Sequence, residues 1–119
     1  MPQYMLLIYG DPALAPASGT PEGQAEFAHW MSYSAEMAEA GAMKAGDALH
    51  PADTATTVRV RDGERVVSDG PFAETKELLG GYYLIDVPDL DTALDWAAKA
   101  PHIGRGSVEV RPVQVFDQG

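Results

Sequence analysis

From Met5 to Tyr9 the chain is almost continuously apolar, a run that suits a strand covered on both faces or on one face plus a partner subunit. The segment Gly10 to Gly19, with Pro12, Pro16 and Ser18, reads as a loop, after which Thr20 can cap a helix that opens on Pro21. Phe27, Trp30, Met31, Ser34, Met37 and Ala38 recur at spacings of three and four. That stripe predicts a helix running to about Ala40, stopped at Gly41, and lying on a sheet. Met43 to Gly46 reads as a short strand, followed by a polar turn at His50-Pro51-Ala52-Asp53. Thr56 to Val60 and Glu64 to Ser68 flank Arg61-Asp62-Gly63, in which Asp-Gly is the strongest local hairpin signal of the chain.

Beyond the hairpin, Gly80-Gly81 leads into a strand from Tyr82 to Val87. Asp89 caps a second helix with the stripe Leu90, Ala93, Leu94 and Ala97, and Pro101 ends it. A last strand spans Ser107 to Phe116, with Pro112 arguing for an edge or a bulge. The order is β-α-β, hairpin, β-α-β. This is an α+β plan: a ferredoxin-like split βαβ with an inserted β-hairpin, its antiparallel sheet carrying two helices on one face. The tyrosines and paired apolar positions on the strands point to a subunit partner over the other face, so a homodimer is expected. No repeat, low-complexity tract or linker divides the chain, which reads as one domain over residues 1–119.

Charge narrows the partners. Eighteen acidic residues against eight basic ones give a net charge of −10, and no Lys/Arg cluster offers phosphates a basic face, so nucleic acid is not an expected partner. With no cysteine there is neither disulfide nor thiol chemistry, a composition that suits a reducing compartment. The first residues lack a basic leader segment, and no run approaches the ~20 apolar residues of a membrane span. The expectation is a cytoplasmic protein. His29, His50 and His102 show no zinc-ligand spacing, and Gly80-Gly81 precedes a strand rather than a phosphate-cradling helix, so neither metal nor cofactor is expected.

The densest chemistry sits at Asp69-Gly70-Pro71-Phe72, which runs into Ala73-Glu74-Thr75-Lys76-Glu77. Pro71 lacks an N–H, so Asp69 cannot make the usual side-chain bond two residues on and must turn to Phe72, Ala73, a distant partner or a ligand. This run resembles the signature of the DGPF branch of the YCII-related proteins. Tyr4-Met5-Leu6-Leu7-Ile8-Tyr9, Thr54-Ala55-Thr56-Thr57-Val58-Arg59, Gly80-Gly81-Tyr82-Tyr83 and Val108-Glu109-Val110-Arg111-Pro112-Val113 extend the resemblance over nearly the whole chain. It implies a bacterial protein with the dimeric α+β barrel arrangement, sheet packed against sheet. It implies little about the reaction. Members of this branch often lie near genes for alternative sigma factors, which implies, as the alternative to an enzyme, an accessory or sensing protein in a stress or regulatory pathway.

Candidate site residues follow. Asp69 is either a general base over a pocket or a loop brace at a tight corner. Glu77 and Lys76 either grip a polar substrate or pair in solvent, and Phe72 either meets a ligand or is buried in the core or dimer seam. Tyr82 or Tyr83, one of which must face away from the helices, can hold a ligand oxygen. In YCII relatives a histidine on the first helix pairs with an aspartate. Counted from Gly46 that position is His29, and counted from Gly41 it is Trp30. His29 lies about 200° from Phe27 round the helix, off the apolar stripe. The relatives' aspartate before the proline that ends helix two is replaced here by Ala100. His102, just after Pro101, either reaches the same region or is solvated, as loop histidines usually are. The reading assembled from these residues is a small organic ligand, with proton transfer by Asp69 assisted by His29 or Glu77.

Overall fold

A computed structural model describes residues 1–72 and 75–116. The elements are β1 (Gln3–Gly10), α1 (Pro21–Glu39), β2 (Met43–Ala48), β3 (Thr56–Arg61), β4 (Glu64–Asp69), β5 (Leu78–Asp86), α2 (Leu90–Ala98) and β6 (Gly106–Pro112). Four strands form one antiparallel sheet in the order β2-β5-β1-β6, the ferredoxin-like arrangement in which two β-α-β halves interleave. β5 starts at Leu78, so Gly80-Gly81 lies inside the strand instead of before it, and the last strand ends at Pro112, on a sheet edge.

Local signals explain the boundaries. Pro21 occupies the first turn of α1 while the Thr20 hydroxyl accepts the Gly23 amide at 3.1 Å. The Asp89 carboxylate accepts the Thr92 hydroxyl at 2.7 Å and the Thr92 amide at 2.8 Å, and these hydrogen bonds, the hydroxyl's first, lower its pKa. Along β1, Tyr4, Leu6 and Ile8 are buried against the helices while Met5, Leu7 and Tyr9 alternate onto the open face. Leu6, Met37 and Ile85 have no exposure at all and, with Tyr33, centre the core.

Two stripe predictions need correction. On α1 the enclosed residues are Tyr33 and Met37, with Trp30 and Ser34 half-buried, whereas Phe27 and Met31 are 67% and 58% exposed. On α2 only Ala93 and Ala97 are enclosed. Leu94 lies one residue, about 100°, round the axis and stays half-exposed, as does Leu90, because two small side chains let the helix approach closely and leave its flanks outside.

The hairpin is a separate two-stranded ribbon. Asp62 and Gly63 both have positive φ (52° and 78°), the two-residue turn that Asp-Gly predicts. At its base the Gly70 amide donates to the Ala55 carbonyl at 2.7 Å and the Thr57 hydroxyl donates to the Gly70 carbonyl at 2.8 Å. The signature corner therefore clamps the foot of an arm. Because the arm leaves the body, the radius of gyration is 16.4 Å, above the ~13–14 Å of a compact chain this long. Neither helix is long and apolar enough to cross a membrane.

Candidate functional site

Between α1 and the β2–β5 side of the sheet lies a cavity of about 600 Å³. It exists because aromatic rings hold α1 off the strands. Tyr33 packs edge-on against Trp30 (5.9 Å between centroids) and Tyr83 (5.6 Å), while Trp30 stacks on Tyr83 at 6.5 Å. The Ser34 and Tyr83 hydroxyls, 2.8 Å apart, tie the helix to β5 at that spacing. Phe27, Trp30 and Met31 form the helix wall, Gly46, Gly81 and Tyr83 line the sheet side, and His102 and Arg105 stand in the loop after α2.

Several polar groups at this cavity have an identifiable anchor. Arg105 forms an ion pair with Glu26, both partly buried, joining the loop to α1. The Tyr82 hydroxyl donates to the Asp47 carboxylate at 2.6 Å, and that hydrogen bond to a neighbouring negative charge raises the phenol's pKa. The Asp11 carboxylate accepts the Ala13 amide at 2.9 Å. Tyr33, whose hydroxyl donates to the Trp96 carbonyl at 2.7 Å, is pushed well above the ordinary phenol range by burial, with the Tyr83 phenol adding to the shift.

His102 is 4% exposed, against the expectation that a loop histidine is solvated. Its Nε2 lies 2.8 Å from the Tyr9 carbonyl and 3.2 Å from the Ser107 carbonyl. Carbonyls only accept, so Nε2 carries the hydrogen and donates. Nδ1 is buried and has no hydrogen-bond partner among the described residues. The ring tilts against Trp30 at 5.3 Å. Gly106 makes this seat possible: a Cβ there would stand 2.5 Å from both the Tyr9 carbonyl oxygen and His102 Cδ2.

The residues singled out from sequence divide by location. Tyr83 faces α1, and Tyr82 pairs with β2; both border the cavity. His29 is exposed on α1 and lines neither hollow, whereas its neighbour Trp30 faces the cavity. Asp69 is exposed at the end of β4, away from the cavity. Phe72 is 76% exposed in the single chain, not buried in its core, and its ring lies 5.1 Å beneath the Arg59 guanidinium. Glu77 is exposed, within 3.2 Å of the Ser107 hydroxyl that donates to it, and Lys76 is exposed beside it. Phe72 and Glu77 border a second hollow between the arm's foot and the sheet. Ala73 and Glu74 lie outside the described residues. Glu26 and Arg105 were missed, and His102 was weighed but set aside as a solvated loop residue; the hint in its favour was a histidine two residues before one glycine and four before another, immediately after the helix-ending proline. Among the described residues no three His, Asp or Glu side chains converge as a metal site would require.

The family model of the YCII-related domain matches residues 2–117. An uncharacterized protein of Rhizobium meliloti (strain 1021) is 38% identical over 118 residues, covering 98% of this chain and 95% of the relative. Among solved structures, 5-chloro-2-hydroxyhydroquinone dehydrochlorinase from Burkholderia phenoliruptrix AC1100, in complex with 2,5-dihydroxybenzoquinone, aligns with 98% of this chain and 95% of its own, at 11% identity and a TM-score of 0.48.

Proposed function

The chain belongs to the YCII-related family, and from the site's geometry we propose that it binds a small, mainly apolar organic molecule in the cavity between α1 and the sheet. The observation that carries this reading is the cavity itself. Its volume falls in the range of ligand sites, and its walls are mostly aromatic and aliphatic with a few anchored polar groups, the composition such sites share. Tyr83, on the α1 side of β5, supplies a hydroxyl to a bound molecule, Tyr82 borders the cavity from the other face of that strand, and any chemistry is proton transfer. Asp69, Phe72, Lys76 and Glu77 belong instead to the arm's foot, and His29 to the solvent face of α1.

The test is thermal unfolding with aromatic fragments at millimolar concentration. A ligand at about a hundred times its dissociation constant stabilises the folded state by about 2.7 kcal/mol, several degrees of melting temperature for a chain this size. Met31→Trp, at a half-exposed residue on the cavity wall, should abolish the shift while leaving the unliganded melting point nearly unchanged. If no fragment shifts melting, the accessory or sensing reading takes precedence.

The same reading includes a homodimer. The open sheet face presents Met5, Leu7 and Leu84, half-buried rather than covered, and one face of the arm presents Val58, Val60 and Val67 at 57%, 69% and 54% exposure. The arm holds Arg59, Arg61 and Arg65 against Asp62, Glu64 and Asp69, so it is neutral in a chain of net charge −10, and two copies repel each other less there than over the rest of their surface. Light scattering should give twice the 12.7 kDa chain mass, and the double variant Val58→Asp/Val67→Asp should return a folded monomer. A monomeric parent chain would remove this part of the proposal.

A further inference from the structure

We propose that His102 is the hydrogen-bond and proton acceptor for a neutral hydroxylated aromatic ligand; this rests on the cavity reading above and names its substrate class. The ring's two nitrogens have separate fates. Nε2–H is committed to the Tyr9 and Ser107 carbonyls, which fixes the tautomer and leaves a lone pair on Nδ1. That lone pair is buried, without a partner among the described residues, in a side chain that forms part of the cavity wall. An unsatisfied buried acceptor is a cost the fold carries until a donor arrives.

The donor's chemistry follows from what surrounds it. The carboxylates bordering the cavity are already engaged: Glu26 with Arg105, Asp47 with the Tyr82 hydroxyl, Asp11 with the Ala13 amide. Arg105, held by Glu26, is not free to receive an anion, and an anion brings no hydrogen for the Nδ1 lone pair to accept. A cationic amine would lose its hydration in an aromatic-walled space whose carboxylates already have partners. A neutral O–H on a flat ring meets both conditions, with the ring against Trp30 and Phe27 and the hydroxyl donating to Nδ1.

The arrangement also suits transfer of that proton. The O–H bond breaks with its electron pair left on oxygen, the proton moves to Nδ1, and the resulting imidazolium keeps Nε2–H on two carbonyls that stabilise the positive charge. Trp30 is tilted against the imidazole at 5.3 Å, so a ligand arriving at Nδ1 changes the surroundings of the indole. Indole fluorescence therefore reports the event, with Trp96→Phe leaving Trp30 as the sole tryptophan.

The probes are 4-nitrophenol, its methyl ether, benzoate and benzylamine, titrated into the Trp96→Phe chain and followed by Trp30 fluorescence, with the nitrophenolate absorbance recorded in parallel. Saturable 4-nitrophenol binding should exceed that of the ether, benzoate and benzylamine by about tenfold, the worth of one hydrogen bond to a poised acceptor. Bound probe should show the phenolate band at a pH where free probe is mainly neutral. His102→Gln keeps a donor where Nε2 lies and removes the Nδ1 acceptor, so it should lose the tenfold preference and the phenolate band. Should that variant unfold, the ¹⁵N resonance of Nδ1 in the unsubstituted histidine decides, since the probe must shift it. Equal binding of phenol and ether, tighter benzylamine or benzoate, or an unmoved Nδ1 resonance overturns the assignment while the cavity reading stands. If none of the four binds, both readings fail.

Discussion

Tyr33→Ala is expected to destabilise the chain by about 3–5 kcal/mol, the cost of deleting a large buried aromatic, lowering the melting temperature by roughly 10–25 °C. The ring is 2% exposed and touches Trp30, Tyr83 and Trp96, so its loss opens a void at the point where α1, β5 and α2 meet. Tyr33→Phe keeps the ring and should cost only about 1 kcal/mol, from the hydrogen bond to the Trp96 carbonyl. The same hydroxyl shapes the alkaline limb of stability. Unfolded, the phenol ionises near its ordinary 10.0; folded, burial holds the proton more tightly. The contribution is therefore complete below about pH 10 and is lost as pH rises beyond it, since the unfolded chain then releases a proton that the folded chain retains. Urea midpoints between pH 8 and 11 should fall steeply for the parent and more shallowly for Tyr33→Phe. Identical slopes would exclude Tyr33 as the cause.

The second large effect belongs to Gly106. Its missing side chain is the space in which His102 lies, and a methyl group there meets backbone oxygen, which cannot swing away. Gly106→Ala is expected to cost about 1–3 kcal/mol by overpacking and to push the imidazole off the Tyr9 carbonyl, removing the phenol preference inferred above. Gly104→Ala, two residues earlier, is the internal control: a Cβ there finds nothing within 4 Å, and the change should be neutral or stabilising by a few tenths of a kcal/mol. Denaturation curves for the pair, with the His102 ring resonances, separate a local clash from general loop intolerance. Equal behaviour of the two variants would show that the seat at residue 106 is not tight.

What could be read from residues alone was whatever depends on neighbours in the chain. The two caps at Thr20 and Asp89, the Asp62-Gly63 turn and the alternation along β1 are each set within four residues, and the order of those elements leaves few sheet topologies open. The signature corner was conspicuous for the same reason, since proline and glycine restrict the backbone wherever they stand. Its neighbourhood was not legible: Asp69 and Phe72 sit at the foot of an arm, and nothing in nine residues says that the arm leaves the body.

The site is a meeting of segments far apart in sequence, and so it is set by packing. Trp30, Tyr83 and His102 come from a helix, a strand and a loop, and their approach depends on Ala93 and Ala97 letting α2 settle close while Tyr33 props α1 away. Periodicity could mark α1 as amphipathic, but the choice between Phe27 and Tyr33 as the enclosed ring turned on where the sheet's tyrosines stand. Order along the chain, then, follows from local sterics and hydrogen bonding. Which histidine is shut away with a lone pair unspent follows from the volume left when a helix, a strand and a loop close on one another.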